Sequence, residues 1–214
     1  MLQGSHSVSL NDMVKALAAG PTLVSFPTDT VPALATKPEQ ANLIFAAKKR
    51  PPEKPLILMG ASLDDLMPYI SGSSEEIEIW RSHTQKHWPG QLTLVLPASD
   101  RTPSTLNPTQ TGTIGIRVPN HPTALALLSQ TGPLATTSAN LSGQPPLTTQ
   151  PDIARTFPTA LTLAPNAYQT NQQSSGTPST VALWLGQPTQ ASSQQSHIQS
   201  ANQWQILRQG KIYL

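Results

Sequence analysis

The chain has no cysteine. Disulfide scaffolds, thiolate nucleophiles and cysteine-based zinc sites are thereby excluded. Charge is scarce as well: 11% of residues are Asp, Glu, Lys or Arg, against about 25% in an ordinary soluble domain. Thirteen basic residues against eleven acidic ones leave a net charge of +2. That balance is too mild to argue for wrapping nucleic acid, and it leaves polyanion binding to local clusters. No apolar run reaches the roughly 18 residues of a membrane span, and no charged segment at the N-terminus leads into an apolar one. Neither a transmembrane helix nor a secretory signal is expected, and the expectation is a soluble cytoplasmic protein. The familiar chemical signatures are missing too. There is no Walker loop, no Gly-x-Gly-x-x-Gly, no Gly-x-Ser-x-Gly and no His-Glu-x-x-His. A nucleotide site, if the chain has one, is not of the usual glycine-rich kind.

What is present fits one domain. The 214 residues suffice to bury about 70% of the surface that the unfolded chain exposes. Helix and strand patterns alternate. Ser9 caps an apolar stripe of Leu10, Met13, Val14 and Leu17 that Gly20 ends; Pro38, Ser62 and Ser74 open further helical patterns, and Pro122 to Ser129 forms another. Strand patterns run over Thr22 to Phe26, Leu56 to Met59, Gln91 to Leu96, Thr113 to Val118, Leu134 to Thr137, Ser179 to Leu185 and Trp204 to Arg208. Connections of mixed length predict a mixed sheet with helices packed on it. From Thr156 to Leu207 there is no charged residue, and Gln, Ser, Thr and Pro dominate. The polar parts near 166–177 and 187–203 read as surface insertions, loops or partly disordered, because they hold little to bury.

Chemistry concentrates at a few places. Lys48-Lys49-Arg50-Pro51-Pro52-Glu53-Lys54-Pro55 holds four cations in a proline-stiffened loop. It is either a solubilising turn or a phosphate clamp, in which Arg forks to two oxygens and Lys supplies a point charge. Phe26-Pro27-Thr28-Asp29-Thr30 and Thr136-Thr137-Ser138-Ala139-Asn140 each end a strand in polar residues. Strand ends of open α/β sheets are where ligands bind, although capped turns and an Asx turn at Asp29 account for the same pattern. Arg117 stands among strand residues and must be paired or reach a cleft. The scarcity of acids favours a ligand over a structural ion pair. His83 and His87 have the i,i+4 spacing of a zinc pair, but no third ligand is evident, and a solvated helix face explains them better.

Taken in order, Phe26-Pro27-Thr28-Asp29-Thr30-Val31, Lys48-Lys49-Arg50-Pro51 with Lys54-Pro55-Leu56-Ile57, Trp88-Pro89-Gly90-Gln91-Leu92-Thr93, Gly115-Ile116-Arg117-Val118-Pro119, Thr137-Ser138-Ala139-Asn140-Leu141-Ser142-Gly143, Ser179-Thr180-Val181 and Ile206-Leu207-Arg208-Gln209-Gly210 resemble the YrdC/Sua5 family of L-threonylcarbamoyladenylate synthases. The resemblance covers residues 8–214 and is to the short, single-domain form. It implies an α/β fold, a twisted open mixed sheet with flanking helices and a positively charged concave face. It implies that ATP, bicarbonate and L-threonine give L-threonylcarbamoyl-AMP and pyrophosphate, with Mg2+ on the phosphates. Downstream tRNA threonylcarbamoyltransferase proteins would then carry the group to the adenosine beside the anticodon, with tRNA itself met only indirectly or weakly. By the same resemblance, Arg50, Lys54, Thr113, Ser138, Asn140, Thr148 and Arg208 contact ATP, with Lys48 beside the phosphates. Thr30, Arg117 and Ser179 hold threonine, Arg117 through its carboxylate. No resident metal site and no general base are implied. Pro32 stands where the family usually has Tyr, and Met59 where it often has His, both on the threonine side. The alternative is a paralogue that binds RNA or nucleotide without synthase activity.

Overall fold

The computed structural model describes residues 7–167, 174–186 and 203–214. In chain order its elements are β1 (Ser7–Val8), α1 (Leu10–Ala19), β2 (Leu23–Phe26), β3 (Ala33–Thr36), α2 (Asn42–Lys48), β4 (Ile57–Met59), α3 (Leu63–Leu66), α4 (Ser74–His87), β5 (Leu92–Pro97), β6 (Thr113–Arg117), α5 (Pro122–Thr131), β7 (Leu134–Ser138), α6 (Gln150–Thr156), β8 (Ala160–Leu163), β9 (Thr180–Trp184) and β10 (Trp204–Arg208). Helices begin where an oxygen side chain can take up a free N–H. Ser9 accepts from Asp12 N–H ahead of α1, and Ser62 with Asp65 and Ser73 with Glu76 form capping boxes at α3 and α4. Pro38 opens a single 3-10 turn before α2 rather than one continuous helix.

All ten strands join one mixed sheet in the order β1-β8-β2-β3-β7-β4-β6-β5-β9-β10. Four pairs are parallel (β1 with β8, β2 with β8, β4 with β6, β5 with β9) and the other five are antiparallel. Side chains alternate between two apolar layers, as the strand period of two demands. On β3, Leu34 packs with Leu58, Ile116 and Trp80, while Ala33 and Ala35 pack with Met13, Leu17 and Leu127 under α1 and α5. A fully buried leucine of this kind is worth about 1.5–3 kcal/mol. The half-buried alternation expected for β5 is only partly realised, because Thr93 is fully buried along with Leu92 and Leu94.

Three strands and one helix escape the sequence patterns. The strand β3 reads Ala-Leu-Ala-Thr, with little β propensity. The strand β8 and helix α6 sit in or beside the uncharged region, and β1 is two residues long. That region therefore contributes Phe157, Ala160 and Leu163 to the core. Of the two polar segments expected as insertions, 168–173 and 187–202 lie outside the described residues. Ser175, Gly176 and Thr177 are described, and they are docked: Ser175 N–H donates to Asp29 O at 3.0 Å and Gly176 N–H to Thr30 O at 2.9 Å. The C-terminal tail is tied in by Thr180, whose hydroxyl accepts from Gly210 and Ile212 N–H and donates to Ile212 O. A Cβ on Gly210 would stand 2.5 Å from Thr180 N, so only glycine lets the tail come this close. No described helix is long and apolar enough to cross a membrane.

Candidate active site

Four central strands make a floor. Ser138 of β7 pairs with Ala33 of β3, Thr136 of β7 with Ile57 of β4, and Met59 of β4 with Arg117 of β6. All six line a cavity of about 150 Å³. Small or polar side chains at Ala33, Thr136 and Ser138 leave the space that leucines fill elsewhere on the sheet. The walls are Thr28, Thr30 and Val31 after β2, Arg50 and Pro55 after α2, Pro178 and Ser179 before β9, and Arg208 from β10.

Arg117 is buried, and each nitrogen of its guanidinium has a partner. Nη2 donates to Asp29 Oδ1 at 2.7 Å, Nη1 to Thr30 Oγ1 at 2.9 Å and Nε to Gly90 O at 3.0 Å. The scarcity of acids did not leave this arginine without an internal partner; Asp29 is its ion pair. Burial pulls the Arg117 pKa below its ordinary value, and the Asp29 carboxylate pulls it back up. Two of the five guanidinium N–H bonds remain for a ligand. Thr30 is fixed in turn by Thr28, whose hydroxyl accepts Thr30 N–H at 3.1 Å and donates to Val31 O at 2.7 Å. Gly90 belongs in this frame because a Cβ there would meet His87 O at 2.3 Å.

Across the cavity, Ser179 Oγ shares a hydrogen bond with Thr93 Oγ1 at 2.8 Å. Arg208 reaches Ser179 through Nε to its carbonyl at 2.9 Å and through Nη2 to its hydroxyl at 3.2 Å. The register of β10 on β9 shifts between Ile206 and Arg208. Such a bulge re-aims a side chain, and here it coincides with the arginine that bends back over the cleft.

The Lys48 to Pro55 loop divides its cations. Arg50 lines the cavity, with Nε donating to Lys54 O at 2.7 Å and Nη2 to Pro55 O at 2.9 Å. Lys48 does not reach the cavity. It is 1% exposed, and its amine donates to Ser138 O and to Asn140 Oδ1. Ser138 Oγ donates to the same Asn140 oxygen, and Asn140 Nδ2 closes the turn onto Leu141 O and Gln144 O at 2.8 Å each. No carboxylate is paired with Lys48 among the described residues. Burial, reinforced by repulsion from Arg50, brings its pKa from the ordinary lysine value down to about 7.

Of the residues singled out from sequence, Thr30, Arg50, Ser138, Arg117, Ser179 and Arg208 meet at one cavity. Lys48 and Asn140 stand directly behind Ser138. Lys54 and Thr148 are exposed and do not line the cavity, and Thr113 bonds to Thr111 at 3.0 Å away from it. His83 and His87 lie on α4, where His83 Nε2 accepts from Trp204 Nε1 at 3.1 Å, so that lone pair already has a use. No group of three His, Asp or Glu side chains that could hold a metal ion gathers among the described residues. Thr28 and Thr136, from the two polar strand ends read in the sequence, also line the cavity, and the structure adds Pro178. Thr136 carried a usable signal, being polar in a strand and two residues before Ser138. Pro178 had none.

Residues 15–210 match the Sua5/YciO/YrdC family model, described as "Telomere recombination". The chain belongs to the Sua5/YciO/YrdC family. Among curated relatives, the threonylcarbamoyl-AMP synthase of Yersinia pestis (strain Pestoides F) is 37% identical over 164 residues, which cover 73% of this chain and 83% of that one. Among solved structures, P. abyssi Sua5 complexed with L-threonine superposes with a TM-score of 0.72 at 28% identity over 95% of this chain. This chain spans only about half the length of that protein, 55%. E. coli YciO shares the fold, with a TM-score of 0.71 at 23% identity over 94% of this chain and 89% of its own. A single α/β domain with an open mixed sheet is therefore common to the Sua5/YciO/YrdC members compared.

Proposed function

We propose that this chain is a threonylcarbamoyl-AMP synthase, a nucleotidyltransferase that uses L-threonine, bicarbonate and ATP and releases pyrophosphate. One observation carries the reading beyond family membership. A single cavity has a guanidinium and two hydroxyls at one end (Arg117, Thr30, Ser179) and Arg50 with the Lys48-backed Ser138 turn at the other. The first set suits an amino-acid carboxylate, because Arg117 keeps two N–H bonds beyond its three internal ones and a guanidinium matches a carboxylate. The second set suits phosphates.

In the reaction, the threonine nitrogen bonds to the bicarbonate carbon with loss of water. A carbamate oxygen bonds to the α-phosphorus, whose bond to pyrophosphate breaks. Negative charge accumulates on the leaving pyrophosphate, where Arg50 stabilises it, an electrostatic contribution that dominates such transfers. No side chain in the cavity is placed as a general base, and the chain's contribution to the amine step is orientation and desolvation. Magnesium enters as part of the nucleotide substrate. The Asp29 carboxylate is paired with Arg117 through Oδ1. Other proteins then pass the threonylcarbamoyl group to a tRNA adenosine. An RNA-binding role without catalysis is the weaker reading, since thirteen bases against eleven acids give little long-range attraction for polyanions.

Pyrophosphate release with ATP, bicarbonate and each amino acid in turn tests the proposal. Release with threonine well above that with serine or valine is expected. No release with any amino acid would overturn it.

A further inference from the structure

Gln91 stands half-buried just before β5 and touches none of the cavity. Its backbone carbonyl accepts Thr180 N–H at 2.9 Å, which starts the pairing of β5 with β9. Its side chain crosses to a different part of the molecule. Nε2 donates to Asp29 O at 3.1 Å, and Oε1 lies 3.4 Å from Ser175 Oγ, whose one proton it shares with Thr177 O at 3.1 Å. The amide can sit only this way round, because a carbonyl needs a donor and the opposite flip would set two oxygens together.

Three segments meet at this side chain. The first is the loop after β2, whose Asp29 and Thr30 hold Arg117. The second is the turn before β5, whose Gly90 carbonyl takes the third Arg117 bond. The third is the stretch from Ser175 to Pro178, which docks through Ser175 and Gly176 N–H and then delivers Pro178 and Ser179 to the cavity. Gly176 turns within it at φ +68°. Apart from Gln91, only two backbone hydrogen bonds tie this third segment to the Asp29 loop in the described structure.

We propose that Gln91 is a positioning residue for the amino-acid end of the cavity: it latches the Ser175–Pro178 strap onto the Asp29–Thr30 loop and so holds Ser179 opposite Arg117 and Thr30. The latch rests on the amino-acid reading of that end for its consequence, but not for its existence. It acts through the strap and the loop, so its loss misplaces binding groups and leaves the phosphate end untouched.

The test compares wild type with Gln91→Met, which keeps the length and removes both hydrogen bonds, and Gln91→Glu, which sets a carboxylate against the Asp29 carbonyl. Two quantities are read: amide hydrogen exchange at Ser175 and Gly176, and KM and kcat in threonine-dependent pyrophosphate release. In Gln91→Met both amides should exchange faster, and KM for threonine should rise about two- to tenfold, the worth of one net hydrogen bond. The KM for ATP and kcat should stay within about twofold. Gln91→Glu should show the larger change in both readouts. Unchanged exchange at the two amides overturns the latch, whatever the activity. Faster exchange with equal rises in both KM values overturns its assignment to the amino-acid end. A wild-type chain that releases no pyrophosphate with threonine overturns the functional reading instead, and the exchange measurement still decides the latch.

Discussion

At one end of the cavity Arg117 is buried against Asp29, and every nitrogen of its guanidinium already has a partner. At the other end Lys48 and Arg50 are held by carbonyl and amide oxygens alone, with no carboxylate paired to either among the described residues. The first cation is electrostatically satisfied before any ligand arrives, so it is a rigid frame that presents two spare N–H bonds. Arg50 is charged but uncompensated, and Lys48 behind the wall has its pKa lowered to about 7 by burial, so this end gains most when an anion enters. One cavity thus joins a pre-paired end suited to a small, fixed carboxylate and an unpaired end suited to a group whose negative charge grows during reaction. The same residue types serve both because their partners differ.

The largest expected effect comes from breaking the paired end. Arg117→Ala deprives the Asp29 carboxylate, 10% exposed in the native protein, of its cation. Removing one member of a buried pair costs about 3–5 kcal/mol. Denaturant unfolding should report a loss of that size, and threonine-dependent turnover should vanish with it. Arg117→Lys tests the fork more gently. It should raise KM for threonine tenfold or more with KM for ATP little changed, since an ammonium offers one point contact in place of a planar pair. An equal rise in both would place Arg117 in the frame alone.

Breaking the unpaired end should affect catalysis more than stability. Arg50→Ala removes a charge-assisted contact to the phosphates worth about 1.5–3 kcal/mol, hence at least tenfold in kcat/KM for ATP. Its two internal bonds go to carbonyls of its own loop, so the melting temperature should fall by only a few degrees. Unchanged ATP kinetics would reduce the loop to a solubilising turn.

The unpaired end also carries a pH signature. The Lys48 pKa falls from the model-compound value of 10.5 to about 7 on folding. Between those values the unfolded chain binds more protons at this residue than the native one, so stability rises with pH from about 7 to about 10.5. Below about pH 7 both states hold the proton, and the full cost of the buried charge is present. Lys48→Met should flatten this rise by up to a few kcal/mol, measured as unfolding free energy at several pH values. A variant with the wild-type slope would place the buried charge elsewhere.

Much of this contrast was legible in the chain. The proline-stiffened cations, the polar strand end at Ser138 and Asn140, and the arginine among strand residues all pointed at the cavity that the fold assembles. The partner of Arg117 was not legible. Asp29 is far from it in sequence and has a local alternative as a turn acceptor, so only the register of Met59 on Arg117 and the packing of the Thr28–Val31 loop bring them together. The division of labour between Lys48 and Arg50 was hidden for a similar reason. Two residues apart at a helix end, they look equivalent, but Lys49 takes up a left-handed φ of 50° and turns the chain between them. The strand β8 was lost because composition over a long window hid four residues of ordinary strand.

The smallest expected effect isolates burial as the cause. Arg155 and Asp152 on α6 form the same pair of residue types as Arg117 and Asp29, at i,i+3 spacing on the surface, with side chains 77% and 38% exposed. Water screens the attraction there, and the freed charges are rehydrated when either partner is removed. Such pairs contribute about 0–1 kcal/mol. Asp152 also accepts from Thr149 at the start of the helix and so keeps a role without the arginine. Arg155→Ala should therefore change unfolding free energy by less than about 0.5 kcal/mol, and threonine and ATP kinetics not at all. Measured beside Arg117→Ala, it holds the chemistry of the pair fixed and varies only its access to water. A loss at Arg155 comparable to that at Arg117 would mean that burial is not what separates the two, and the account of a pre-paired frame at the Arg117 end would fall with it.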